Sequence, residues 1–222
     1  PCDRVRIGFE FEGRYPDGIS KKQAGAGEYV LPSGVVLTGF STTSFVPIVG
    51  YRAEVGVEKD KNKADPRVYP DDYWRRVLPA ALPMFSGWVD TKIRVTGPER
   101  LQHNVTGVMV SEHVQGGRRT TEWHSEAPVR AFNVILGNWK VKRGEGVAVY
   151  YDARHPYNVD EMLEGLEGAR RWYGEWFAPY PWKELRLSEF PGLAAYAQGR
   201  PTNISFSEHI GFLTKAEPKA SA

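Results

Sequence analysis

Between Asp152 and Tyr157 the hydrophobic period of this chain changes from two residues to 3.6, which limits what can be built on either side. After the change, Met162, Leu163, Leu166, Ala169, Trp172, Tyr173, Trp176 and Phe177 recur at three- and four-residue steps, one apolar stripe along a helix. Asn158 is a good N-cap residue, and Glu161 follows at the spacing of a capping box. Asp160 and Glu161 also place negative charge on the first turn, where the helix dipole favours it. Pro179 and Pro181 end the helix. Residues 183–190 then alternate like a half-buried strand, residues 203–208 read the same way, and the loop 191–201 joins them.

Before the change the pattern is strand and turn. Val5, Ile7, Phe9 and Phe11 alternate with Arg4, Arg6, Gly8 and Glu10, which predicts a strand over 4–12 with one buried face. Pro16-Asp-Gly18 is turn chemistry, and short strands at 28–31 and 35–37 flank Pro32-Ser-Gly34. Residues 45–49 form another apolar stretch, and the mixed charge run 58–66 reads as a solvated loop. Val89, Thr91, Ile93 and Val95 share a strand face that Gly97-Pro98 ends. Strands at 104–114 and 119–123 flank Gln115-Gly-Gly-Arg118, a hairpin turn with glycine where positive φ is needed. Strands at 129–136 and 147–151 follow, with breaks at 137–139 and 143–146. So many short strands predict an all-β sandwich or saddle. The small, polar residues 215–222 predict a loose end.

Composition excludes several classes. The chain is 41% hydrophobic and 13% aromatic, enough for a real core. Its 29 basic and 27 acidic residues leave a net charge of +2, so nothing favours nucleic acid. Cys2 is the only cysteine, which rules out an internal disulfide framework. No apolar run approaches the ~20 residues that span a bilayer. There is no signal peptide, and the chain starts at Pro1 without methionine, which together with its end at Ala222 suggests an excised piece.

Local motifs for chemistry are missing. His103, His113, His124, His155 and His209 show no His-x-x-x-His spacing, so no metal site is predicted within this chain. The cluster Ser41, Thr42, Thr43 and Ser44 lacks a nucleophile elbow, and Cys2 has no identifiable histidine partner, so no catalytic residue is assigned.

Five pieces in a fixed order carry a stronger signal. They are Tyr150-Tyr-Asp-Ala-Arg-His-Pro-Tyr-Asn-Val159, Trp176-Phe-Ala-Pro-Tyr-Pro181, Glu189-Phe-Pro191, Tyr196-Ala-Gln198 and Pro201-Thr-Asn-Ile-Ser-Phe-Ser-Glu-His-Ile-Gly-Phe212. Together they resemble the opening of the catalytic domain in zinc aminopeptidases of the membrane alanyl aminopeptidase (gluzincin) type. The nearest likeness is a bacterial branch joined to a transporter permease. The resemblance implies a mainly β fold: an N-terminal β-sandwich (saddle) domain over 1–152, then the first helix and strands of a thermolysin-like catalytic domain over 153–222. It also implies zinc in the full-length parent, held by a His-Glu-x-x-His helix that this chain does not contain. The implied partners are the rest of the catalytic domain, a peptide substrate and a membrane permease segment, in a soluble, extracytoplasmic domain of a membrane-associated bacterial protein.

In ordinary members of that family an edge strand within 191–201 pairs with the peptide backbone, and its glutamate binds the α-amine. Here Gly199 stands at the glutamate's place, beside Gln198. The resemblance therefore assigns substrate binding to Tyr196 and Gln198, with Asp72 as the match to a further amine-binding residue. A neutral amide holds an ammonium less strongly than a carboxylate. The competing reading of Gln198 is a residue that satisfies nearby backbone groups. The competing reading of the whole chain is a non-catalytic extracytoplasmic β-sandwich binding module, using aromatics such as Trp74, Trp88 and Trp123.

Overall fold

Gly116 and Gly117 have φ of 58° and 74°, the backbone of a two-residue type I′ hairpin. They join the two longest paired strands of a computed structural model that describes residues 8–13, 28–38 and 88–216. The described chain is mainly β. Its strands are β1 (Tyr29–Leu31), β2 (Gly34–Leu37), β3 (Lys92–Pro98), β4 (Gln102–Val105), β5 (Val108–Gln115), β6 (Arg118–His124), β7 (Val134–Gly137), β8 (Lys140–Gly144) and β9 (Val147–Tyr151). Helix α1 (Val159–Trp176) follows, then β10 (Leu185–Phe190), β11 (Ala197–Arg200), β12 (Asn203–Ser207) and the single turn α2 (Glu208–Gly211).

The strands form three sheets, ordered β3-β6-β5, β1-β2-β7-β4 and β11-β12-β10-β9-β8. The four-stranded sheet lies in the middle because both of its faces are apolar. Val35, Leu37, Val134 and Leu136 meet Leu101, Trp123, Ile93 and Val95 on one side. Val36 and Ile135 meet Tyr29 and Phe190 on the other. The five-stranded sheet takes α1 on its far face, where Val159, Leu166 and Phe212 cover Val147, Val149 and Leu187. Each such side chain taken fully from water contributes about 1.5–3 kcal/mol.

The structure departs from the sequence reading in five places. Residues 8–13 belong to no strand, and Phe9 and Phe11 are exposed, because no described strand offers them a ladder. The run 104–114 is two strands in two sheets, broken at Gly107, where φ is 102° and a Cβ would stand 2.3 Å from the His124 carbonyl oxygen. The chain between the predicted breaks is itself a strand, β8, which pairs with β9 across a turn at Gly146. β10 is not half-buried: it runs parallel to both β9 and β12, is covered on both faces, and has five of its six residues buried. Its polar alternation marks a buried polar layer rather than a solvent face. Finally, Asn158 has φ of 58° and makes no capping bond to α1. Its amide instead donates to the Gly211 and Thr214 carbonyls at 2.5 and 2.8 Å and accepts from the Ala216 N–H at 2.8 Å.

The change of sheet lies between β7 and β8, ahead of the change of period between Asp152 and Tyr157. β8 and β9 extend the sheet that α1 covers. The apolar stripe of α1 is buried only in its first half. Trp172, Tyr173, Trp176 and Phe177 are exposed and stack on one another, with Trp172 and Trp176 centroids 5.9 Å apart. Among the described residues no helix is long and apolar enough to cross a membrane.

Candidate functional site

Parallel β9, β10 and β12 end at the same side of their sheet, the usual place for ligands in open sheets of this kind. Asp152 follows β9, Glu189 lies near the end of β10, and Glu208 follows β12. His155, in the turn before α1, reaches in between them. Its Nδ1 lies 2.9 Å from Glu189 Oε1 and its Nε2 lies 3.5 Å from Glu208 Oε2. The other oxygen of each glutamate is fixed by main chain: Asp152 N–H donates to Glu189 Oε2 at 2.6 Å, and Gly192 N–H donates to Glu208 Oε1 at 2.6 Å. Gly192 permits this approach, since a Cβ there would stand 1.8 Å from the His209 ring.

Charge around the cluster is unevenly compensated. Arg154 grips Asp152 through bonds of 2.5–3.1 Å, which holds the Asp152 carboxyl below its ordinary range. Glu189 is 2% exposed, and burial, joined by the charges of Asp152 and Glu208, pushes its carboxyl up to about 8. A cavity of about 660 Å³ opens beside the cluster, lined by Tyr29, Arg100, Trp139, Arg154, Glu189 and Glu208 among others. Local His-x-x-x-His spacing did not reveal this grouping, because its members come from three separate strand ends. Its traces in the sequence were the His-Pro, Glu-Phe-Pro and Ser-Glu-His pieces.

β11 is the edge of the five-stranded sheet and pairs only with β12 among the described residues. Ser207 N–H bonds the Tyr196 carbonyl at 3.0 Å. By the alternation of an antiparallel ladder, Tyr196, Gln198 and Arg200 turn their main chain to β12, while Ala197 and Gly199 turn theirs to the open edge. Both outward residues are exposed, and nothing lies within 4 Å of where a Gly199 Cβ would be.

The side chains assigned from the sequence sit on the inner side of this strand. Tyr196 packs on Phe190 with centroids 4.7 Å apart, and burial pushes its hydroxyl up to about 12. Gln198 is 6% exposed, and its amide oxygen accepts from Arg200 Nη1 at 2.6 Å. Arg200 in turn donates to the Thr38 carbonyl at 3.1 Å. Tyr196 and Gln198 therefore share one strand face, and Asp72 lies outside the described residues. Of the aromatics in the binding-module reading, Trp123 is core at 1% exposure, and Trp88 is exposed with Arg130 4.7 Å over its ring. Trp74 lies outside the described residues.

No protein-family model matches the chain, and no curated protein matches it. Solved structures do. A two-domain M1 zinc metallopeptidase variant bound to L-arginine is 17% identical, with a TM-score of 0.44, over 54% of this chain and 30% of its own. The M1 zinc metallopeptidase from Deinococcus radiodurans is 18% identical, with a TM-score of 0.44, over 55% and 31%. A mutant of the Deinococcus radiodurans enzyme bound to a Tyr-Ser-Ala substrate is 17% identical, with a TM-score of 0.43, over 53% and 29%. The matched region spans about 30% of the length of these structures.

Proposed function

We propose that these residues form a wall and the edge strand of the substrate cleft of a zinc metallopeptidase of the membrane alanyl aminopeptidase type. The observation that carries the reading is the open edge of β11, where Ala197 and Gly199 offer main-chain groups to an added strand. The motif pieces that resemble the family support it, since helix α1, β10, β11 and β12 follow one another in the order the resemblance implies. Tyr196 and Gln198 act by holding the strand, through Phe190 and Arg200, rather than by reaching outward to the peptide.

His-Glu-x-x-His does not occur in the 222 residues. The ligand set of a gluzincin zinc is therefore not furnished by these residues, and no bond-breaking step is assigned to them. In the parent, that zinc would act as a Lewis acid on the scissile carbonyl. The resemblance of residues 196–198 and 201–212 to the permease-joined branch is what supports reading the parent as a membrane-associated protein with this domain facing outward.

Hydrogen exchange tests the edge. Added to the 222-residue chain, an extended peptide with a free N-terminus should slow exchange at the Ala197 and Gly199 amides. Gln198, already bonded to β12, should change little. Unchanged exchange at both outward amides with millimolar peptide overturns the reading.

A further inference from the structure

We propose that His155, Glu189 and Glu208 form a binding site for a divalent transition-metal ion of the zinc class at the carboxyl ends of β9, β10 and β12. The site uses no His-Glu-x-x-His motif, and its test is read separately from that of the peptide edge on β11. One imidazole nitrogen and one oxygen from each carboxylate already lie within 4.8 Å of one another. The 2.9 Å between His155 Nδ1 and Glu189 Oε1 is near the roughly 3.4 Å ligand-to-ligand edge that bonds of about 2.1 Å give in a tetrahedral zinc site. Glu208 faces the other ring nitrogen at 3.5 Å, so binding the ion through one nitrogen requires the imidazole or the partly exposed Glu208 side chain to turn.

Three features distinguish this cluster from a chance meeting of acids. Each glutamate has one oxygen tied by a backbone N–H, which leaves the other turned to the imidazole; such outer bonds orient ligands at metal sites. His155 Nδ1 is buried and satisfies no hydrogen bond despite its short distance to Glu189, so the pair is close without being aligned. Tyr29 supplies the third and independent sign. It is 8% exposed, it lines the adjoining cavity, its hydroxyl has no hydrogen-bond partner among the described residues, and it feels the charges of both Glu189 and Glu208. A water carried by a bound ion in that cavity would offer the hydroxyl a partner.

Charge and donor type select the ion. Asp152 is already paired to Arg154, which leaves the two glutamate carboxyls of the cluster for a divalent cation to bind. One nitrogen and two oxygen donors, with a position open to water, suit Zn²⁺ or Co²⁺ better than Ca²⁺ or Mg²⁺, which take all-oxygen sets.

The test is a titration of the chelator-treated 222-residue chain with Co²⁺ and Zn²⁺. Co²⁺ should give a visible d–d absorption that saturates at one equivalent, and Zn²⁺ should displace it and raise the Tm. His155→Asn and Glu208→Gln, both at partly exposed positions, should each weaken Co²⁺ binding at least about tenfold while keeping the wild-type circular dichroism. No saturable absorption in the wild-type chain overturns the proposal and leaves the cluster as an imidazole bridging two carboxylates. Uptake in both variants equal to that of the wild-type chain overturns it too. Peptide protection at Ala197 and Gly199, read in the presence of chelator, reports on the cleft reading separately.

Discussion

Arg186 holds a guanidinium at 1% exposure between the sheets. Its Nη2 donates to the Val105 and Gly107 carbonyls at 2.8 and 2.7 Å and to Thr202 Oγ1 at 2.9 Å, and its plane lies 4.8 Å from the Trp123 ring. Arg186→Met should cost about 3–5 kcal/mol in urea unfolding, since the acceptors that converge on it lose their donor in a dry layer. Arg186→Lys should rescue only part of this, because an ammonium cannot reproduce the planar fork. Full rescue by lysine would show that charge alone matters. His103 gives the residue scale a pH dependence. It is 5% exposed and bonded to Thr121 Oγ1 at 2.8 Å, and burial, aided by Arg119, lowers its pKa from 6.5 to about 4. The unfolded chain therefore binds the proton first. The His103 contribution is whole above pH 6.5 and is lost as pH falls toward 4, up to about 3 kcal/mol. His103→Gln should flatten that part of the stability profile; an unchanged slope between pH 6.5 and 4 would sink the assignment.

At the element scale, much of the fold was legible where a pattern has one physical cause. The Gly116-Gly117 hairpin, the strands around Pro32-Ser-Gly34 and helix α1 follow from turn chemistry and periodicity. β10 was misread because polar residues at alternate positions look alike whether they face water or a buried layer of Asn104, Ser188 and Asn203. The metal-type cluster was invisible for a related reason: strand ends far apart in sequence meet only through parallel pairing. Asn158 had the right residue type for a cap but a different task. Asn158→Gly keeps the positive φ and removes the bonds to residues 211–216. α1 should keep its circular dichroism while the Ala216 amide exchanges faster; loss of helix instead would restore the capping role. On β11, proline is tolerated where the N–H points away from the ladder. Ala197→Pro should leave Tm within a few degrees and abolish peptide-induced protection at Gly199. Protection that survives would mean that the peptide docks elsewhere.

For the whole molecule the central question is whether the layers are independent units. The period change suggested a division at residue 152, yet β8 and β9 lie before it and pair into the sheet that α1 covers. The middle sheet has no free face: Ile135 packs toward Phe190 and the five-stranded sheet, while the adjacent Leu136 packs toward Trp123 and the three-stranded sheet. Ile135 is 0% and Leu136 5% exposed, so truncating either to alanine should cost about 2–5 kcal/mol through lost burial and the cavity left behind. Because the two residues are neighbours on one strand whose backbone both layers share, a single cooperative unit requires both variants to shift the same unfolding transition. Circular dichroism and tryptophan fluorescence should then move together, since Trp123 and Trp139 report on the two layers and the backbone signal on all of them. If Leu136→Ala shifts the fluorescence midpoint and Ile135→Ala shifts only a second, separate transition, the layers fold independently and the boundary belongs at the middle sheet. One shared midpoint in both variants makes the polar layer around Arg186 and Asn104 a seam within a single folding unit.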